Sequence, residues 1–129
     1  MLTIGKSATV TTTVSDANTA KAVGSGSLDV FSTPMMIALM EQAACECLSG
    51  SLESGQGSVG TQINVAHTAA SPLGATINAT ATITKIDGRK VSFEVVASDS
   101  LNQIGNGTHD RFIIDEKRFM DKLQIGASQ

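Results

Sequence analysis

Hydrophobic and polar positions alternate through much of the chain, and the alternation breaks once, for a long apolar run. Residues 7–14, SATVTTTV, are rich in Thr and Val with partial alternation, which predicts a strand. From Ser15 to Asp29 the residues become small and polar, with GSGS at 24–27, as in a lid or a short irregular helix. Thr33 to Leu48, TPMMIALMEQAACECL, then reads as a helix. Thr33 is the expected N-cap, Pro34 the expected first helical residue and Gly50 the expected stop. Met35, Met36, Ile37, Ala38, Leu39, Met40, Ala43, Ala44, Cys45 and Leu48 cover nearly the whole circumference, so this helix is expected to be enclosed, with Glu41 enclosed in it.

Beyond a Ser/Gly/Glu-rich loop, SVGTQINVAHTA (58–69) puts Val59, Thr61, Ile63, Val65, His67 and Ala69 on one strand face. Pro72 and Gly74 mark a turn before ATINATATITKI, in which Ile77, Ala79, Ala81 and Ile83 alternate with Asn and Thr. Asp87-Gly88 is a hairpin signal, and KVSFEVVAS returns with Val91, Phe93, Val95 and Ala97 on one side. A turn is expected over Asn102 to Gly107, a last strand at THDRFII, and a short helix in EKRFMDKLQ. One strand, one apolar helix and four strands with short connections give an α+β chain: a single antiparallel sheet wrapped around a central helix. Its open edge is expected to be covered by a second copy in a dimer.

At 129 residues the chain (1–129) makes one domain. With 41% apolar and 16% charged residues, disorder and a membrane span are not expected. A net charge of −3 and the absence of Tyr and Trp leave neither an electrostatic footprint nor a stacking platform for nucleic acid. MLTIGKSATV holds no apolar run of signal-peptide length, so a cytoplasmic protein is expected. Cys45 and Cys47 point to different sides of the helix, and reduced thiols fit that compartment.

Three polar residues stand against apolar or strand surroundings: Thr33 at the helix start, Glu41 within the helix and His67 on the inward strand face. Each alone has an ordinary reading, as a cap, a wet helical stripe or a core histidine. Together, a hydroxyl, a carboxylate and an imidazole without metal-ligand spacing suit acid/base or nucleophilic chemistry at a carbonyl carbon. GSGS lacks the Lys-Ser/Thr ending of a phosphate-binding loop.

Three blocks resemble the fluoroacetyl-CoA thioesterase-like branch of the hot-dog fold: VFSTPMMIALMEQAA (Val30 to Ala44), GSVGTQINVAHTAASPLG (Gly57 to Gly74) and IGNGTHDRFII (Ile104 to Ile114). The resemblance implies a homodimer with sites at the subunit interface, hydrolysis of a short-chain acyl-CoA thioester, and no metal or redox cofactor. It maps the catalytic group onto Thr33, Glu41 and His67, with Glu41 as general base or nucleophile. It also implies an acyl pocket at Gly60, with Thr61, Val30, Phe31 and Arg111 as further substrate contacts. Arg111 has a second reading, pairing with Asp110 or Glu94 on a polar strand face. The family's fluoroacetyl-specific member gates its site with aromatic residues ahead of the helix. AVGSGSLDV offers only Leu28 and Val30 as sizeable apolar groups there, which predicts a broader acyl preference. A non-catalytic acyl-CoA-binding protein is the alternative, while an enoyl-thioester hydratase would need an Asp and His pair on the helix side, which the sequence lacks.

Thr33 and Glu41 are eight residues apart, roughly 12 Å along a helix axis at about 1.5 Å per residue. Each site is therefore expected to be completed across the dimer interface.

Overall fold

The computed structural model describes residues 1–127, as β1 (Ser7–Thr13), α1 (Ala20–Val23), α2 (Thr33–Ser49), β2 (Gln56–His67), β3 (Thr76–Asp87), β4 (Lys90–Ser98), β5 (Gln103–Asp115) and α3 (Glu116–Ala127). The strands form one antiparallel sheet in the order β1-β3-β4-β5-β2, leaving β1 and β2 as its edges. The alternating residues of the middle strands make the core. Ile77, Ala79, Ala81 and Ile83 of β3, and Val91, Phe93, Val95 and Ala97 of β4, are all buried beneath α2. Fully burying a side chain such as Phe93 contributes about 1.5–3 kcal/mol, so this face fixes the register of the sheet against a one-residue slip.

The helix begins one residue earlier than its capping signal suggested. Ser32, not Thr33, is the N-cap: its backbone is extended and its Oγ accepts from the Met35 amide at 3.3 Å. Both residues are competent caps, and moving the cap to Ser32 frees the Thr33 hydroxyl for another partner.

α2 is also less enclosed than its composition suggested. Met36, Leu39, Met40, Ala43, Ala44, Cys47 and Leu48 are buried, but Pro34, Gln42, Cys45 and Ser49 are exposed and Ala38 and Glu41 half-buried. The cause is the off-centre seat of the helix, which packs chiefly on β1 and β3 and scarcely on β2. One sheet covers one side, and the small or apolar residues opposite face outward. Polar residues, His109 and Arg111, fill the inner face of β5 toward β2.

β5 runs from Gln103 through the expected turn at Asn102 to Gly107. Gly105 and Gly107 serve close approach here: a Cβ on Gly107 would run into the Asn64 carbonyl of β2, and one on Gly105 into the Met36 thioether of α2. The segment Ser15–Asp29 contains only the four-residue α1, capped by Thr19 and closed by Gly24 in the left-handed region, φ +80°. No helix among the described residues is long and apolar enough to cross a membrane.

Candidate active site

Freed from capping, Thr33 turns its hydroxyl to the end of β2, where Oγ1 lies 2.8 Å from His67 Nδ1. His67 Nε2 is buried and has no hydrogen-bond partner among the described residues, which is costly unless a ligand or partner group completes it. Burial pushes the His67 pKa below the ordinary histidine value, with a smaller opposing effect from the Ala69 backbone. The imidazole is thus held neutral and able to accept a proton. Ala20, Ser25, Val30, Phe31, Thr68, Ala69 and Ala70 complete the walls of this cavity. Val30 and Phe31 are fixed by β-bridges to Pro72 and Thr19, and the Phe31 amide donates to the Ser71 carbonyl at 2.9 Å.

Glu41 belongs to a different cavity, shared with Gly60, Thr61, Gln62, Ile63 and His109. Its Oε2 accepts from Arg111 Nη1 at 2.9 Å and stands 4.0 Å from His109 Nε2. A Cβ on Gly60 would lie 2.7 Å from that oxygen, so the carboxylate rests against bare backbone. A register shift between Gly60 and Gln62 leaves Thr61 unpaired in a bulge, with its Oγ1 donating to the Asp110 carbonyl at 3.3 Å.

Arg111 pairs with neither Asp110 nor Glu94. Successive residues of a strand face opposite sides, so Asp110 points away and lies 3.7 Å from Lys90 instead. The Arg111 guanidinium is engaged all round: Nε donates to Ser58 Oγ at 2.8 Å, Nη2 to the Ser58 carbonyl at 3.1 Å, and Nη1 to Glu41. The pairing of Glu41 with Arg111 spans 70 positions and had no local signal in the sequence.

Within one protomer, then, Thr33 joins His67 in one cavity, and Glu41, bonded to Arg111, joins Gly60 and Thr61 in another. Both lie along β2, an edge strand whose residues 60–64 are exposed. Among the described residues no group of three or more His, Cys, Asp and Glu side chains is arranged to hold a metal ion.

The family model described as fluoroacetyl-CoA-specific thioesterase matches residues 14–117. The chain belongs to this family. It is a thioester hydrolase by that membership. The fluoroacetyl-CoA thioesterase of Streptantibioticus cattleyicolor is 43% identical over 96 residues, 74% of this chain and 69% of that protein. A crystal structure of fluoroacetyl-CoA thioesterase superposes with a TM-score of 0.91 at 35% identity, covering 96% of each chain. A thioesterase-superfamily protein of Thermus thermophilus superposes with a TM-score of 0.90 at 23% identity, covering 98% of this chain and 93% of that one, and shows that the hot-dog fold is shared.

Proposed function

We propose that this protein hydrolyses a short-chain acyl-CoA thioester in a homodimer, each site combining Thr33 and His67 of one protomer with Glu41 of the other. The observation that carries this reading is the division of the three groups between two cavities on one exposed edge strand. An unpaired edge of this length invites pairing with a second chain. The same association would cover the outward face of α2, where Ala38, Glu41 and Cys45 stand uncovered.

In such a site Glu41 takes a proton from water as the oxygen attacks the thioester carbonyl carbon. The tetrahedral adduct then collapses, the C–S bond breaks, and the thiolate leaves protonated with the acyl group released as an acid. A second route has the Glu41 carboxylate attack the carbonyl carbon directly, breaking the C–S bond and expelling the thiolate, which leaves as the thiol; water then opens the resulting anhydride, releasing the acid and restoring the carboxylate. His67, neutral and hydrogen-bonded to Thr33, offers Nε2 to the substrate or the leaving group. Gly60, beside the carboxylate, and Thr61, Val30 and Phe31 shape the acyl pocket. Arg111 holds Glu41 in place, and no metal or redox cofactor enters either route.

Release of free thiol from acetyl-, fluoroacetyl-, propionyl- and butyryl-CoA tests the reading. Turnover of at least one of them is expected. Binding of acyl-CoA without thiol release would overturn hydrolysis in favour of a sensing role.

A further inference from the structure

We propose that His109 is a positioning residue that, as its neutral Nδ1–H tautomer, aims the Arg111 guanidinium at Glu41. The inference rests on the catalytic reading of Glu41 but is carried by geometry of its own. His109 Nδ1 lies 2.7 Å from the Gln62 carbonyl oxygen, which can only accept, so Nδ1 carries a hydrogen. Nε2 faces Arg111 Nη1 at 3.2 Å. Since the guanidinium can only donate, Nε2 must present its lone pair, and the ring is neutral. A doubly protonated ring would set an N–H against a cation.

Nη1 has two hydrogens, and their partners are now assigned: His109 Nε2 takes one and Glu41 Oε2 the other. Ser58 holds the remaining side of the guanidinium. The groups facing the imidazole are Glu41 from α2, Arg111 on β5, the Gln62 carbonyl from β2 and Phe93 from β4. The Phe93 ring stacks at 6.1 Å between centroids and fixes the plane. Gln62 directly follows the Thr61 bulge, so the shift that opens Gly60 to Glu41 also sets the carbonyl that orients His109.

The sequence offered only G-T-H-D-R-F, with His109 and Arg111 two apart on one strand face. Spacing of two is what brings both to the inner side of β5, where α2 leaves room for polar groups. A histidine that is 2% exposed and hydrogen-bonded at both nitrogens serves here as an acceptor held rigidly against an arginine.

The test combines rescue with direct observation of the tautomer. His109→Gln keeps an acceptor near the Nε2 position, whereas His109→Leu removes it. With the best acyl-CoA substrate, His109→Leu should lose roughly tenfold or more in kcat, as misplacement of a reacting group by about 1 Å can cost up to 10²-fold. KM should change little, and His109→Gln should recover most of the loss. Equal kcat for the Leu and Gln variants, or a Leu variant as fast as wild type, would overturn the assignment. Nitrogen-15 NMR of the wild-type protein should show His109 protonated at Nδ1 and unprotonated at Nε2. The opposite tautomer would also overturn it, whether or not the variants fold. A wild-type protein without thioesterase activity would remove the catalytic reading alone, because the NMR measurement decides the tautomer by itself.

Discussion

A methyl group on Gly60 would stand 2.7 Å from Glu41 Oε2, so the carboxylate occupies space that any other residue at position 60 would claim. The nearest obstructing atom is the end of a half-exposed side chain, which can swing away, while His109 Cε1 at 3.2 Å and Arg111 Nη1 at 3.3 Å need give by only a few tenths of an ångström. Gly60→Ala should therefore fold normally and displace Glu41 from Arg111. We expect a loss of tenfold or more in kcat, on the order of what misplacing a catalytic group costs, with little change in melting temperature. A large fall in melting temperature with turnover kept in the folded fraction would show that Gly60 serves packing.

Glu41→Gln keeps a group that can accept from Arg111 and removes the charge. General acid/base contributions are typically about 10²–10⁴-fold, so kcat should fall by at least ~10²-fold in a folded protein. Near-normal turnover would show that Glu41 is a structural partner of Arg111 and nothing more.

His67 is held below the ordinary histidine pKa by burial. In acid the unfolded chain protonates this histidine near pH ~6.5, while the folded one resists until a lower pH. Its contribution to stability is thus intact above ~6.5 and lost as pH falls through the folded pKa. Activity should follow the folded value: kcat/KM should hold as pH falls to about 6.5 and decline only below it. An acid limb centred above that value would contradict a neutral, working His67.

The wall ahead of α2 is built from Ala20, Ser25 and Val30, with Leu28 exposed. Discriminating fluorine from hydrogen takes rigid, bulky contacts, since even one methylene is worth only about 1–3 kcal/mol in a pocket. Acetyl-CoA and fluoroacetyl-CoA are expected to differ in kcat/KM by less than ~10²-fold, a range set by such modest contacts. A much larger preference for fluoroacetyl-CoA would place selectivity in other walls.

The strands and the helix were legible because their signals are local. The alternation of Ile77, Ala79, Ala81 and Ile83 follows directly from the two faces of a strand, and Asp87-Gly88 marks its hairpin with Lys90–Ser98. What local signals could not convey was how far the sheet reaches around α2, so Glu41 was expected to be enclosed and is 42% exposed. Gly105 and Gly107 read as a turn because close approach by Asn64 and Met36 is a long-range fact. Ser32 and Thr33 are both competent caps, and the hydrogen bond that Thr33 makes to the remote His67 had no local signal to separate them. The partners of Arg111 were hidden for the same reason, since Glu41 and Ser58 are remote in sequence.

Mixing two inactive variants tests the composite site most directly. One carries Thr33→Ala with His67→Ala, the other Glu41→Gln. If each site draws Thr33 and His67 from one protomer and Glu41 from its partner, a heterodimer regains one intact site of its two. Statistical exchange makes half the dimers mixed, so the mixture should recover roughly a quarter of wild-type turnover. If both groups act within one protomer, every site keeps a defect. No recovery after verified subunit exchange would contradict the account.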